Sequence, residues 1–166
     1  MINNKLIIVI AFILVCIIVL ILEWYHLFRN KRKEQTKISF KEGLDLCELP
    51  IVTFNSDGKK LNFLLDTGSN ISYINEKVIK DLNAQDIGAS SKTTGVGGTG
   101  IETKHYNITI GYKDLKFTEE FGAMDLSQAF KAIEDESGVK LHGILGNKFF
   151  EKYKYIIDFR ELIAYR

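Results

Sequence analysis

The chain opens with one unbroken apolar run, and apolar and polar positions alternate in most of the remaining residues. The run covers residues 6–22 and contains no charged side chain. At about 1.5 Å per helical residue, it nearly crosses a hydrocarbon core of about 30 Å. The stretch WYHLF (24–28) extends it with the aromatic residues that favour a membrane interface. The pattern predicts a transmembrane helix, with an anchor over residues 1–28 and lipid contact through residues 6–28.

A cleaved signal peptide is the alternative explanation of this run. The apolar core of a signal peptide usually has about 7–15 residues and precedes a small-x-small cleavage site. This run is longer and no such site comes after it, which favours a permanent anchor. Lys5 precedes the run, whereas four basic residues lie within 29–33. The excess of positive charge predicts a single-pass protein with its C-terminal part on the cytoplasmic side.

Beyond the anchor, the pattern predicts a charged juxtamembrane linker over residues 29–48 and one folded domain over 49–166. The runs PIVTF (50–54) and LNFLLD (61–66) flank Asp57-Gly58, a strong hairpin signal. Further strands are expected at 71–74, 101–110, 115–126 and 141–146, with a final hairpin from YIIDF (155–159) and LIAY (162–165).

Helical spacing is confined to short segments of this domain. They are NEKVIKDL (75–82), SQAFKAIEDE (127–136) and NKFFEKY (147–153), with Asn75 and Asn147 as expected N-caps and Gly138 as an expected terminator. Many short strands with two or three short helices predict a mostly β fold, closed into a small barrel.

Composition removes several classes of function. The chain has 22 Lys and Arg against 21 Asp and Glu, so net charge gives no case for nucleic-acid binding. Cys16 and Cys47 make no disulfide or zinc framework, and the three histidines lack metal-ligand spacing. We therefore predict no metal and no cofactor.

The acid in NFLLDTGSN (62–70) is the most informative polar residue. Asp66 ends an apolar strand, where an unpaired charge is expensive to bury. Two carboxyls that share a site can share one proton, and such a pair can activate water. The chain contains one DTG, so a pair requires a second copy across a two-fold axis. The alternative is that Asp66 is only an Asx-turn residue at a strand end.

Three segments together resemble a known family. LLDTGSN (64–70), GILG (143–146) and YIIDF (155–159) occur in the order hairpin, DTG, glycine-rich hairpin, ILG, helix and final strands. In this order they resemble the retropepsin-like aspartic proteases over residues 49–166. The resemblance implies an acid-protease-like half-domain barrel that becomes an enzyme by homodimerisation.

The resemblance also implies roles for individual residues of the DTG loop. Asp66 would be the catalytic acid and base, and the Thr67 hydroxyl would reach the backbone of the partner loop. Gly68 would allow the tight turn that brings a backbone N–H to the carboxylate, and the Ser69 hydroxyl would bond the outer carboxylate oxygen. Beneath this loop would pack the ILG segment, Ile144, Leu145 and Gly146.

The stretch TTGVGGTG (93–100) contains G-x-G-x-x-G, but a dinucleotide site needs a helix after it. The next residues alternate like a strand, so we favour a hairpin flap that closes over substrate. The N–H groups of Val96, Gly97 or Gly98 would then hold an extended peptide. The alternative is an exposed glycine loop with no role.

These expectations combine into one function and one rival. The chain is expected to be a membrane-anchored homodimeric aspartic endopeptidase that hydrolyses peptide or protein substrates with activated water. Anchoring suggests membrane-proximal substrates. The rival is a non-catalytic module on the same fold, which binds peptides or mediates dimerisation while Asp66 is structural.

Overall fold

The computed structural model describes residues 4–94 and 100–166, which fold as two units, Met1–Lys37 and Ile38–Arg166. The first unit contains α1 (Asn4–Gln35). Its segment Ile8–Arg29 is long and apolar enough to cross a membrane, and none of that segment is buried. A helix that is apolar on every side requires a lipid or protein environment.

The second unit begins earlier in the chain than predicted. Of the expected 29–48 linker, the first part continues α1, and the last part forms β1 (Ile38–Ser39) and α2 (Lys41–Cys47). Ile38 and Phe40 are buried in the core of this unit. Ile38 and Phe40 do alternate with polar neighbours, but two apolar positions are too short a pattern to predict a strand.

The second unit is a closed β-barrel, which confirms the predicted mostly β fold. Its elements after α2 are β2 (Ile51–Ser56), β3 (Lys59–Leu65), β4 (Ser72–Asn75), α3 (Glu76–Ile79), β5 (Gln85–Thr94), β6 (Gly100–Tyr112), β7 (Leu115–Met124), α4 (Ser127–Ser137), β8 (Gly143–Leu145), α5 (Asn147–Tyr153), β9 (Ile156–Asp158) and β10 (Ile163–Tyr165). The strand order is β2-β3-β8-β4-β7-β6-β5. A pairing of Asn55 with Gly111 joins β2 to β6 and closes the ring of strands, while β5 extends beyond it.

Aromatic side chains fill the barrel. Phe54, Phe63, Phe117, Phe121 and Phe149 are all fully buried. The ring centroids of Phe63 and Phe121 lie 5.4 Å apart, and those of Phe117 and Phe149 lie 5.3 Å apart. Burial of each such side chain contributes about 1.5–3 kcal/mol. The inward positions are those that the alternation in the sequence selects.

The turns and helix ends agree with the sequence signals, with one exception. Asp57 and Gly58 both have positive φ, at 51° and 79°, as a type I′ hairpin turn requires. The Asn75 side chain caps α3 by accepting from Lys77 N. Gly138 ends α4 with φ 72°. Asn147, in contrast, is the first residue of α5 and not its N-cap, because Gly146 occupies that position.

A second, smaller sheet has the order β1-β10-β9. The predicted final hairpin is present as antiparallel β9 and β10, with Asp158 opposite Ile163. Strand β1 pairs with the other edge of β10, and Ile38 lies opposite Ala164. The start and end of this unit are therefore joined by backbone hydrogen bonds.

Candidate active site

Asp66 is held at the end of a pair of parallel strands. Strands β3 and β8 run side by side, with Leu64 opposite Ile144 and Leu65 opposite Leu145. The Asp66 N–H donates to Leu145 O at 3.0 Å, which extends the ladder by one bond to the acid itself. The structure thus brings together the LLDTG and ILG segments that are far apart in sequence.

The residues after Asp66 form a tight turn. Gly68 N donates to the Asp66 carboxylate oxygen Oδ1 at 2.8 Å, and Ser69 N donates to Asp66 O at 3.2 Å. The first bond is the one the resemblance implies for Gly68, and it also defines an Asx-turn. We expected Asp66 to be buried, but within one protomer it is only half-buried, because the turn emerges at the end of the strand pair. Thr67 and Gly68 are exposed.

The start of α5 fixes the remainder of the loop. Asn147 N donates to Ser69 O at 2.8 Å, and Lys148 N donates to Asn70 O at 3.1 Å. The Asn147 side-chain amide also donates to Thr67 O at 2.8 Å. Backbone N–H groups that a helix start leaves without intrahelical partners are therefore satisfied by the loop that follows Asp66. This role was not predicted from the sequence, because Asn147 matched the simpler signal of an N-cap.

Gly146 allows the closest backbone approach in this region. A Cβ at this position would lie 2.3 Å from Ile71 O and 2.9 Å from Ser69 O. Real Cβ atoms do not approach backbone oxygens this closely, so any side chain would displace the loop or the start of α5. This is the close approach that the resemblance implies for Gly146.

Ser69 differs from its implied role. Its hydroxyl donates to Ile71 O at 2.7 Å. A hydroxyl carries one hydrogen, so this bond takes the place of donation to the outer Asp66 oxygen. Ser69 therefore supports the loop by stabilising its own backbone. The Thr67 hydroxyl role concerns a partner subunit.

A buried carboxylate lies on the strand beneath this loop. Glu119 of β7 is 3% exposed and accepts from Ser72 Oγ at 3.1 Å and from Lys152 Nζ at 3.4 Å. Burial raises the pKa of the Glu119 carboxyl, although Lys152 opposes this shift. Glu119 was not predicted from the sequence. The available signal was the adjacent pair Glu119-Glu120 in an alternating strand, where one member has to face inward.

The predicted flap is described only in its arms. Strands β5 and β6 pair up to Thr94 opposite Gly100, while Val96, Gly97 and Gly98 lie outside the described residues. Among residues 4–94 and 100–166, no group of three or more His, Cys, Asp and Glu side chains could hold a metal ion.

His142 directly precedes β8 and holds it to β3 at Asn62, four residues before Asp66. Its Nδ1 accepts the Asn62 N–H at 3.0 Å, while its own backbone N–H donates to Asn62 O at 2.9 Å. Burial lowers the pKa of the His142 imidazole, and the nearby Lys140 charge lowers it further. Nδ1 can accept this hydrogen bond only when it carries no proton, so the lowered pKa favours the neutral ring that the contact requires.

Comparisons with known proteins give a family match and a similar solved structure. A family model described as "Aspartyl protease" matches residues 52–149. Comparison with curated proteins gives no significant match. Among solved structures, the chain is similar to EIAV protease complexed with the inhibitor HBY-793. The two share 21% identity, and the match covers 64% of this chain and 88% of that chain at a TM-score of 0.47.

Proposed function

Because the chain belongs to the aspartyl protease family, we propose that it is a membrane-anchored endopeptidase whose catalytic pair forms from the Asp66 residues of two protomers. The Asp66 turn carries the proposal. It is fixed from below by Leu145 and Asn147, yet it leaves the carboxylate partly open and the Thr67-Gly68 peptide exposed. The sequence contains one DTG, so each protomer supplies one half of a carboxylate pair.

The proposed mechanism uses the two carboxyls in opposite protonation states. Two carboxylates in one site cannot both ionise readily, so the pair shares a proton. The ionised Asp66 accepts a proton from water as it attacks the peptide carbonyl, and the protonated Asp66 donates to the carbonyl oxygen, which gives a tetrahedral diol. One Asp66 then protonates the peptide nitrogen while the other accepts a proton from a diol hydroxyl, and the C–N bond breaks to release the amine and the acid. The Thr67 hydroxyl bonds the partner's loop, while Asn147 holds the Thr67 carbonyl from the protomer's own side.

An extended peptide is the substrate form that suits this site. We place it between the Asp66 pair and the hairpin of β5 and β6, where backbone N–H groups could add it as a strand. Val96, Gly97 and Gly98 would supply those groups, an assignment that rests on the sequence alone.

Anchoring through α1 would confine protomers to a plane and raise their effective concentration, which favours a weak dimer. Substrates near the membrane are favoured for the same reason. The basic residues after the span support a cytoplasmic protease domain. A reporter fused after Arg166 tests this orientation, and a reporter active only outside the cytoplasm would exclude it.

The decisive experiment compares two matched substitutions in the full chain, purified in lipid nanodiscs and incubated with a mixed peptide library from acid to neutral pH. Asp66→Asn keeps the side-chain oxygen that accepts from Gly68 but removes the ionisable group. Asp86→Asn makes the same change in a similar turn, where Asp86 Oδ1 accepts from Gly88 N at 2.8 Å. We expect cleavage to vanish only in Asp66→Asn and to rise more than linearly with the protein-to-lipid ratio at reconstitution, which sets the number of protomers per disc.

Equal cleavage by the wild type and Asp66→Asn would refute the proposal. A folded wild-type dimer that cleaves nothing would favour the rival function, a non-catalytic peptide-binding or dimerisation module. That rival is supported by the Asx-type bond between Gly68 and Asp66, which needs no catalysis to explain it.

A further inference from the structure

Glu119 is a buried charged group for which the proposed reaction has no use. Its residue is 3% exposed, and its hydroxyl partner Ser72 on β4 is fully buried. The second partner, Lys152 of α5, is half-exposed and lies 3.4 Å from the other carboxylate oxygen. Burying a carboxylate with one long ionic contact costs more than an apolar residue of the same size. Stability alone does not account for a glutamate here.

Hydrogen bonds connect this carboxylate to the backbone of Asp66. Asp66 N–H donates to Leu145 O at 3.0 Å. The N–H of that same peptide unit belongs to Gly146 and donates to Ser72 Oγ at 3.2 Å. The Ser72 hydroxyl in turn donates to Glu119 Oε1 at 3.1 Å. Every donor points in one direction, from Asp66 toward Glu119.

The donor-to-acceptor direction of these hydrogen bonds depends on the charge of Glu119, the last acceptor in the series. An ionised carboxylate is only an acceptor, so it fixes the Ser72 hydrogen and leaves the Ser72 lone pairs for the Gly146 N–H. Hydrogen bonds to a charged acceptor are stronger, and bonds in series polarise one another. Burial raises the pKa of the Glu119 carboxyl, Lys152 on α5 lowers it and so favours the ionised form, and Glu120 on β7 adds to the increase.

The Leu145–Gly146 peptide unit, in the middle of this series of hydrogen bonds, also packs directly beneath the Asp66 loop. A Cβ on Gly146 would clash with backbone atoms of Ile71 and Ser69, so this peptide lies directly against the loop, and Ser72 follows the loop in the sequence. A change in the bond between Ser72 and Gly146 therefore moves atoms that contact the loop itself.

We propose that Glu119 is a positioning residue for Asp66, acting through Ser72 and the Leu145–Gly146 peptide. The inference rests on the proposed function for its effect on catalysis, but its effect on the loop is independent of it. Ionised Glu119 holds the Leu145–Gly146 peptide unit in the orientation that accepts the Asp66 N–H. Loss of the charge weakens that hydrogen bond and lets the Asp66 backbone move.

The test measures amide hydrogen exchange by NMR in the full chain in nanodiscs, for Glu119→Gln and Ser72→Ala. Gln keeps the shape of Glu119 without its charge, and Ala removes the relay hydroxyl. We expect exchange of the Asp66 amide to accelerate by about tenfold in each variant, with core strand amides unchanged. The double variant should show no further acceleration, because both substitutions interrupt the same series of hydrogen bonds. Glu120→Gln removes the adjacent charge on the outer face and should leave the Asp66 amide unaffected.

Catalysis supplies the second readout. With an active wild type, Glu119→Gln should lower kcat by about tenfold with KM within about twofold, and Ser72→Thr should retain most activity because it keeps the hydroxyl. Unchanged Asp66 exchange in both Glu119→Gln and Ser72→Ala would overturn the inference, whatever the activity. A wild type without activity whose Asp66 amide still responds to Glu119→Gln would refute the proposed function and support the positioning role.

Discussion

At the scale of single residues, the site depends on one missing side chain as much as on the acid. Gly146 lies under the loop with no room for a Cβ, whereas Gly111 in β6 would place a Cβ 3.6 Å from its nearest neighbours, an ordinary contact. The two glycines are therefore a test and a control for the same chemical change.

We predict that Gly146→Ala destabilises the folded unit by about 1–3 kcal/mol, since the neighbours that must move are backbone atoms. Cleavage should fall by at least about tenfold, because the displaced loop carries Asp66. Urea unfolding and peptide cleavage measure the two effects. Gly111→Ala should change neither by a comparable amount, and equal behaviour of the two variants would contradict the prediction.

His142 gives the folded unit a pH dependence of known sign. Burial lowers the pKa of the imidazole below its usual 6.5, so the unfolded chain binds a proton more readily than the folded one. The stability that neutral His142 contributes is fully present above the usual pKa of 6.5, and it is lost as pH falls from there through the lowered pKa of the folded state.

His142→Asn places an amide oxygen near Nδ1, where it can accept from Asn62 without titrating. We predict that the free energy of unfolding of the wild type falls relative to this variant between about pH 7 and pH 5. Urea unfolding at a series of pH values measures the difference. Parallel pH profiles would show that the imidazole does not titrate differently in the two states.

The sequence identified some residues of the site and not others, for a physical reason. Asp66 and Gly68 lie within one short motif, so their contact is local and readable. Glu119 and Asn147 act through partners distant in the chain, which only the strand order brings close. A single sequence carries no record of such pairings.

At the scale of elements, local signals were sufficient where a turn or a period specified the structure. The hairpin of β2 and β3 was predicted because Asp57-Gly58 supplies two positive φ angles. Strand β5 was not predicted as a strand, because its sequence QDIGASSKTT is polar and it lies at the open edge of the sheet. Neither face of such a strand needs the apolar alternation on which the prediction relied.

The hairpin turn gives the prediction at this scale. Gly58 has φ 79° and open space around it, so Gly58→Ala introduces backbone strain without a clash. We expect a loss of about 1 kcal/mol in the free energy of unfolding, measured with urea. Gly58→Asn is the matched control at the same position and should cost less, because Asn adopts positive φ more readily than Ala. A loss from Gly58→Asn as large as that from Gly58→Ala would argue against strain as the cause.

At the scale of the whole molecule, the sequence predicts the presence of the two units better than the boundary between them. The apolar helix and the barrel were both expected, but the barrel unit starts at Ile38 because β1 pairs with β10 at the far end of the chain. A strand of two residues whose partner is distant has no local signature. Its pairing also makes residues 38–40 part of the fold, so truncation should spare them.

The dimer is the property of the whole molecule on which the proposed function depends, and mixing of protomers tests it directly. If each protomer supplies one Asp66, a dimer with one Asp66→Asn subunit is inactive. Wild type and Asp66→Asn are co-reconstituted in equal amounts at a fixed total protein concentration. Random pairing then makes roughly a quarter of all dimers fully wild type and active, so activity should fall to roughly a quarter. Monomers that were active independently would instead retain roughly half of the activity. The same mixture with Asp86→Asn should keep full activity, because that turn lies outside the pair. Activity near one half in the first mixture would place a complete active site within a single chain.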